Sequence, residues 1–210
     1  MRTLAFAVAA ALTLAAPAVS QELAGEPALY DVSGVAANDV LNVRERPDAS
    51  SPIIGTLRPD QARVEVIGTL PDGRWGLVNV EEASGWVSMR FMAPSPVALP
   101  DLPGGLTCSG TEPFWSVTFA TPQSWTLDLT YMSDRTAPIA MSGWSKPAIN
   151  RIDAPIGFTG QGGSTRASGV ISLKQCEDGM SLRAAGYEIT MVIDSTDRLV
   201  VQGCCSLGTH

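Results

Sequence analysis

The sequence is short of the groups on which most hydrolytic chemistry rests. Its single histidine is the last residue, His210. A chain end is usually frayed, so neither a Ser-His-Asp triad nor a Cys-His pair has an imidazole held in place. Basic side chains are also few, 14 Lys and Arg against 21 Asp and Glu, for a net charge of −7. No basic patch of the kind a phosphate backbone requires is present, which excludes nucleic acid as a partner. Long stretches with apolar residues at helical spacing are missing. So, after the N-terminus, is any run of roughly 18 to 20 apolar residues, the length a membrane helix needs. The chain has only four cysteines and no C-x2-C pair, a poor match to a structural zinc site, where adjacent cysteines make awkward tetrahedral ligands. No metal or cofactor is expected.

What is present begins with an address. Arg2, the apolar stretch from Leu4 to Ala16 and the small residues Ala18-Val19-Ser20 have the anatomy of a secretory signal peptide cleaved after Ser20. No cysteine follows the cleavage site to carry a lipid. The reading is an exported protein, periplasmic or secreted. Taking Arg2 from the 14 basic residues leaves 13 against 21 acidic ones in the mature chain, an acidity that serves solubility.

In an exported chain four cysteines predict two disulfides. A Cys204–Cys205 bond would close a very small ring, so Cys108 and Cys176 each take one of the vicinal pair. On a strand, Cys204 and Cys205 point to opposite faces, which suits two different partners; the sequence leaves open which takes which.

With 20 glycines and 15 prolines and many Val, Ile, Thr and Trp residues, the chain reads as all-β: a small SH3-like barrel plus a disulfide-bonded antiparallel β-barrel or sandwich. Residues 21–28 read as a flexible leader and 29–92 as a first module. Its strand candidates are Leu41 to Arg44, Ile53 to Leu57, Val64 to Ile67, Trp75 to Val80 and Gly85 to Met89. Pro71-Asp72-Gly73 forms a turn in which glycine supplies positive φ. The order L-N-V-R-x-x-P from Leu41, I-I-G-T-L from Ile53, W-G-L-V-N-V from Trp75 and G-W-V from Gly85 resembles a bacterial SH3-like domain. The resemblance implies a wall-targeting or ligand-binding accessory, some members of which bind peptidoglycan or its peptide stems. Trp75 and Trp86 are candidates to line a groove or to fill the core; only a half-exposed ring favours binding. Arg44 and Arg46 flank the first loop, placed either to pair with a carboxylate or to face solvent.

Residues 93–105 carry Pro94, Pro96, Pro100 and Pro103 and end in Gly104-Gly105. They read as a semi-extended linker that lets the modules move unless an apolar contact joins them. The second module, residues 106–206, alternates along Phe114 to Phe119 and Trp125 to Tyr131. Further strands are expected near Ile139, Ile156, Ser168, Glu188 and Leu199, seven or eight in all, with a mobile loop at Gln161-Gly162-Gly163-Ser164 and a tail at 207–210. The stretches G-T-E-P-F-W from Gly110, C-E-D-G-M-S from Cys176 and G-C-C from Gly203 resemble a family of bacterial envelope proteins without an assigned activity. Leu182-Arg183-Ala184-Ala185-Gly186-Tyr187 departs from that family's usual aspartate and proline.

Carboxylates are the remaining candidates for catalysis: Glu112 with Asp128, or Glu177 with Asp178. A glycosidase-like acid and nucleophile would need two of them set apart in a cleft. Glu112, ahead of Pro113, Phe114 and Trp115, is expected to be partly buried, accepting backbone hydrogen bonds or, with Trp115, touching a ligand. The leading function is a non-enzymatic envelope protein that engages peptidoglycan or a protein partner. The alternatives are a periplasmic inhibitor or stress protein acting on a wall hydrolase, and a carboxylate-dependent wall hydrolase.

Overall fold

The computed structural model describes residues 22–96, 104–119, 126–131, 134–135, 139–145, 154–196 and 198–208. The signal-peptide reading at 1–20, Trp125, His210 and most of the proline-rich linker lie outside them, as does the side chain of Asp128.

In the first module, β1 (Ala28–Val32), β2 (Leu41–Arg44), β3 (Ile53–Leu57), β4 (Val64–Val66), β5 (Gly68–Thr69), β6 (Trp75–Val80), β7 (Ala83–Ser88) and β8 (Met92–Pro94) form two sheets, with a 3-10 turn at Met89–Phe91. One sheet has the order β4-β1-β8 and the other β3-β2-β7-β6-β5. The strands are short, and their inward residues Val43, Val66, Val78 and Val87, each almost wholly buried, form the core between the sheets. Gly73 turns β5 into β6 with a φ of 68°, and Asp72 accepts the Arg74 amide at 2.9 Å, which realises the expected Asp-Gly turn.

Both flanks of this module are more ordered than their composition suggests. Ala24 exchanges two backbone hydrogen bonds with Thr69, at 2.7 and 3.0 Å, so the stretch read as a flexible leader is tied to a sheet edge. At the other end, Ala93 and Pro94 extend the sheet opposite Asp31 and Tyr30. Pro94 sits on an edge strand, where its missing N–H costs no ladder bond.

The second half is an up-and-down barrel. Its strands are β9 (Leu106–Thr111), β10 (Phe114–Phe119), β11 (Thr126–Tyr131), β12 (Asp134–Arg135), β13 (Ile139–Ser145), β14 (Ile156–Gly162), β15 (Thr165–Glu177), β16 (Ala184–Asp194) and β17 (Arg198–Leu207). Eight of them pair antiparallel, each with the next along the chain, and β17 pairs with β9 to complete the ring; β12 adds to the edge of β11. Closure settles the barrel-or-sandwich question and leaves few free sheet edges. An eight-stranded barrel has an interior wide enough for side chains to fill, and here Trp115, Val117, Phe119, Leu129, Ile189 and Met191 are among those that fill it. The period-2 pattern of Phe114 to Phe119 holds, with Trp115, Val117 and Phe119 buried and Phe114 60% exposed.

The stretch read as a mobile loop is a tight hairpin. Gly162 pairs with Thr165, leaving Gly163 and Ser164 as a two-residue connection. Gly163 has a φ of 57°, the conformation such a turn requires at its first position.

The four cysteines form Cys108–Cys205 and Cys176–Cys204. Cys108 and Cys205 face each other across β9 and β17, inside the barrel. Cys204 points outward, and Cys176 reaches it from the far side of β16. Alternation on β17 thus gives the vicinal pair its two partners.

The two modules are packed together. Leu29 of β1 belongs to the barrel's core cluster, and Ala184 of β16 to a cluster with Ile67, Leu77 and Trp86. Asn79 clasps the Ala184 backbone, its Nδ2 donating to the carbonyl at 2.8 Å and its Oδ1 accepting from the amide at 3.1 Å. Glu65 is buried and accepts the Leu207 amide at 2.8 Å. Pro27 lies over Gly186, where an added Cβ would overlap the proline ring.

Candidate functional site

A groove of about 590 Å³ opens on the first module. Its walls include Arg44 at the end of β2, Trp75 at the start of β6, and Arg90 and Phe91 from the 3-10 turn, with Asp39 and Asn42 before and within β2. The turn places Arg90 so that its guanidinium stacks over the Phe91 ring, 4.3 Å from the centroid, an arrangement in which the ring quadrupole attracts the cation. Arg44 is half-buried, and its Nη1 donates to the Ser51 carbonyl at 2.6 Å. That bond holds the side chain against the 46–51 loop while leaving the guanidinium other donors. Ser51 closes the same loop by accepting the Arg46 amide through Oγ at 3.0 Å.

The groove therefore brings two guanidinium groups, two aromatic side chains and one carboxylate, Asp39, into one concavity. Such a set suits a ligand carrying a carboxylate and an apolar stretch: guanidinium binds carboxylate through paired N–H donors, and the rings supply contact area at little entropic cost.

The tryptophans separate by role. Trp75 is half-buried: it packs against the cluster of Ile67, Leu77, Trp86 and Ala184 and also lines the groove. Trp86 is 9% exposed and packs with Ile67, Leu77 and Ala184 beneath the barrel contact; it is core, not groove wall. Arg46 is exposed beside Glu45, 3.7 Å away, and is not among the groove's lining residues. Sequence reasoning missed Arg90 and Phe91. The only signal was an Arg-aromatic pair just after G-W-V-S, and nothing in strand periodicity tells which way a 3-10 turn aims its side chains.

Trp115 is 4% exposed inside the barrel, which removes it as a surface ligand contact. Its indole fits because Gly110 and Gly203 leave room; an added Cβ on either would overlap the ring. Glu112 differs from expectation. It lies in the two-residue connection of the β9–β10 hairpin, joined to Pro113 by a cis peptide bond, and is exposed rather than partly buried. No backbone amide among the described residues bonds its carboxylate.

Glu112 lines a second groove, of about 570 Å³, with Glu177, Asp178, Met180, Glu188 and the Cys176–Cys204 disulfide. Its carboxylates are partly committed. Asp178 Oδ1 accepts the Ser181 and Met180 amides at 2.8 and 2.9 Å, and these bonds hold its pKa below the usual carboxylate value. Glu188 pairs with Lys174 at 2.8 Å.

Among the described carboxyls, that of Glu65 is the most displaced. Burial raises its pKa from 4.5 to about 7, against the Leu207 amide and the Arg183 charge, which lower it. Nearby, burial and then the Glu26 and Glu65 charges push the Tyr187 phenol above its ordinary range. Perturbed groups often mark functional sites, but this pair lies in the contact between modules, and Glu65 lines neither groove.

Residues 39–93 match the family model for the bacterial SH3 domain. The matched span contains Arg44, Trp75, Arg90 and Phe91. No curated protein and no solved structure matches the chain, and the second module's likeness to an envelope family finds no support in these comparisons.

Proposed function

We propose that this is an exported, non-enzymatic envelope protein whose SH3-like module binds the peptide stems of peptidoglycan in the groove between Arg44 and Trp75. The observation that carries this reading is the union of two guanidinium groups and two aromatic rings in one concavity of a bacterial SH3-like domain. A stem peptide offers free carboxylates for Arg44 and Arg90 and methyl and methylene groups for Trp75 and Phe91. Two disulfides suit an oxidising compartment, as does the signal-peptide pattern of residues 2–20. The docked barrel serves as a rigid backing that recognises or stabilises a wall-associated assembly.

The test is sedimentation of the mature protein with purified wall sacculi. Arg90→Glu reverses the charge of an exposed groove residue and is expected to weaken retention at least tenfold, while Arg58→Glu, exposed outside the groove, leaves it unchanged. Retention is also expected to fall as salt rises, since screening weakens exposed charge pairs. Equal retention of wild type and Arg90→Glu would refute the groove as the binding site.

A further inference from the structure

The two disulfides occupy opposite environments. Cys108 and Cys205 are 0% exposed, enclosed in the barrel core. Cys176 and Cys204 are partly exposed and form part of the wall of the acidic groove. Thiol–disulfide exchange requires a thiolate to reach a sulfur atom, so a folded molecule presents only the outer bond to a reductant.

That outer bond fastens a particular piece of chain. The ladder between β15 and β16 is interrupted between Leu173 and Cys176; beyond it only Cys176 with Ala185 and Glu177 with Ala184 are paired. The Cys176–Cys204 bond clips this bulged tip to β17. The segment that follows makes one part of the barrel's contact with the SH3-like module, beside those of Leu29, Glu65 and Pro27. Leu182 donates its amide to the Glu82 carbonyl at 3.0 Å and accepts the Ser84 amide at 2.9 Å. Arg183 donates to the Glu81 carbonyl, and Asn79 holds Ala184 through the two bonds described above. Ala184 in turn belongs to the apolar cluster against which Trp75 packs, and Trp75 lines the ligand groove.

We propose that Cys176–Cys204 is a redox-sensitive clip: its reduction by a dithiol loosens residues 177–184 from the SH3-like module and removes support from the groove wall at Trp75. In the exchange, one thiolate of the reductant attacks a clip sulfur, and the Cys176–Cys204 bond breaks as a mixed disulfide forms. The reductant's second thiol then closes its own disulfide. Two electrons pass to the clip, and Cys176 and Cys204 end as thiols, each with one proton. The effect on ligand binding rests on the proposed function; the loosening does not.

The experiment uses the full mature protein under native conditions, reduced with dithiothreitol and then alkylated, with hydrogen exchange followed by NMR. Label is expected on Cys176 and Cys204 before Cys108 or Cys205. The amides of Ser84, Leu182 and Ala184 are expected to exchange at least tenfold faster, while those of β10 keep their protection. The double variant Cys176→Ala/Cys204→Ala, which lacks the clip without any reductant, is expected to show the same three amides exposed. Simultaneous labelling of all four cysteines, or unchanged exchange at these amides once the clip is open, would overturn the proposal. Sacculus retention, measured in both redox states, reports separately: a chain that binds in neither state refutes the groove reading and leaves the exchange result standing.

Discussion

At the scale of single residues, the energetics turn on places where a side chain is missing or misplaced by ordinary rules. Gly110 stands opposite Trp115 in the β9–β10 ladder, and an added Cβ would overlap both the indole and the backbone oxygen of Gln202. The indole is enclosed and the carbonyl belongs to a sheet, so neither can step aside. Gly110→Ala is expected to lower stability by about 1–3 kcal/mol, the usual range for overpacking, as read from urea melts. Glu65 is the opposite case, an acid where an apolar residue would be ordinary. Its folded pKa of about 7 lies above its unfolded value of 4.5, so between those values the folded state holds more protons than the unfolded one. Its contribution is fully present below about pH 4.5 and is lost as pH rises through about 7, a difference of at most about 3 kcal/mol. Glu65→Gln keeps an oxygen for the Leu207 amide and removes the charge. The variant is expected to be more stable than wild type at pH 8 and to lack the decline between pH 5 and 8 that melts of the wild type show.

At the scale of elements, the β15–β16 hairpin links the barrel to the SH3-like module. Its arms are the longest strands among the described residues, 13 and 11 residues, and its tip lies against β6 and β7. Asn79 on β6 satisfies both backbone groups of Ala184, which is 4% exposed. Asn79→Ala would leave that amide and carbonyl without partners in a buried contact, at a cost of about 2 kcal/mol or more. Loss of protection at the Ala184 amide, with the β10 amides unchanged, is the expected exchange signature. The clips on the barrel differ in kind as well as exposure. Cys108–Cys205 spans 97 residues and Cys176–Cys204 spans 28, for which the chain-entropy model gives about 4.7 and about 3.6 kcal/mol. By that model the inner bond contributes about 1 kcal/mol more to stability than the outer one.

At the scale of the whole molecule, the two modules share apolar clusters and reciprocal hydrogen bonds across the contact. Such a contact makes the first module a fixed platform rather than a tethered one, and it places the Arg44–Trp75 groove and the acidic groove on one body. The strands also show how far local pattern carries. Alternation exposed β10 and β11 in outline, β2, β3, β4, β6 and β7 of the first module, and the Asp-Gly turn, because each is decided by neighbours in sequence. β1, β5 and β8 escaped notice: they are short, and their pairing depends on segments distant along the chain, Val66 for Ala28 and Pro94 for Tyr30. The leader and the start of the linker looked unstructured for the same reason, since a Gly- or Pro-rich stretch says little about an edge that will hold it.

The amino-acid sequence by itself determined the all-β class, the SH3-like first module and the expectation of two disulfides among four cysteines, because alternation, turn residues and composition are read along the chain. Two residues of the groove wall, Arg44 and Trp75, were also singled out there. The tertiary structure alone decided that Trp86 and Trp115 are core, that Glu112 faces solvent, and that Arg90 and Phe91 complete the groove. It also decided which cysteine meets which and that the modules dock. Each of these depends on where strands far apart in the chain come to lie, and that is set by barrel closure and the packing of one module on the other, not by any neighbour along the sequence.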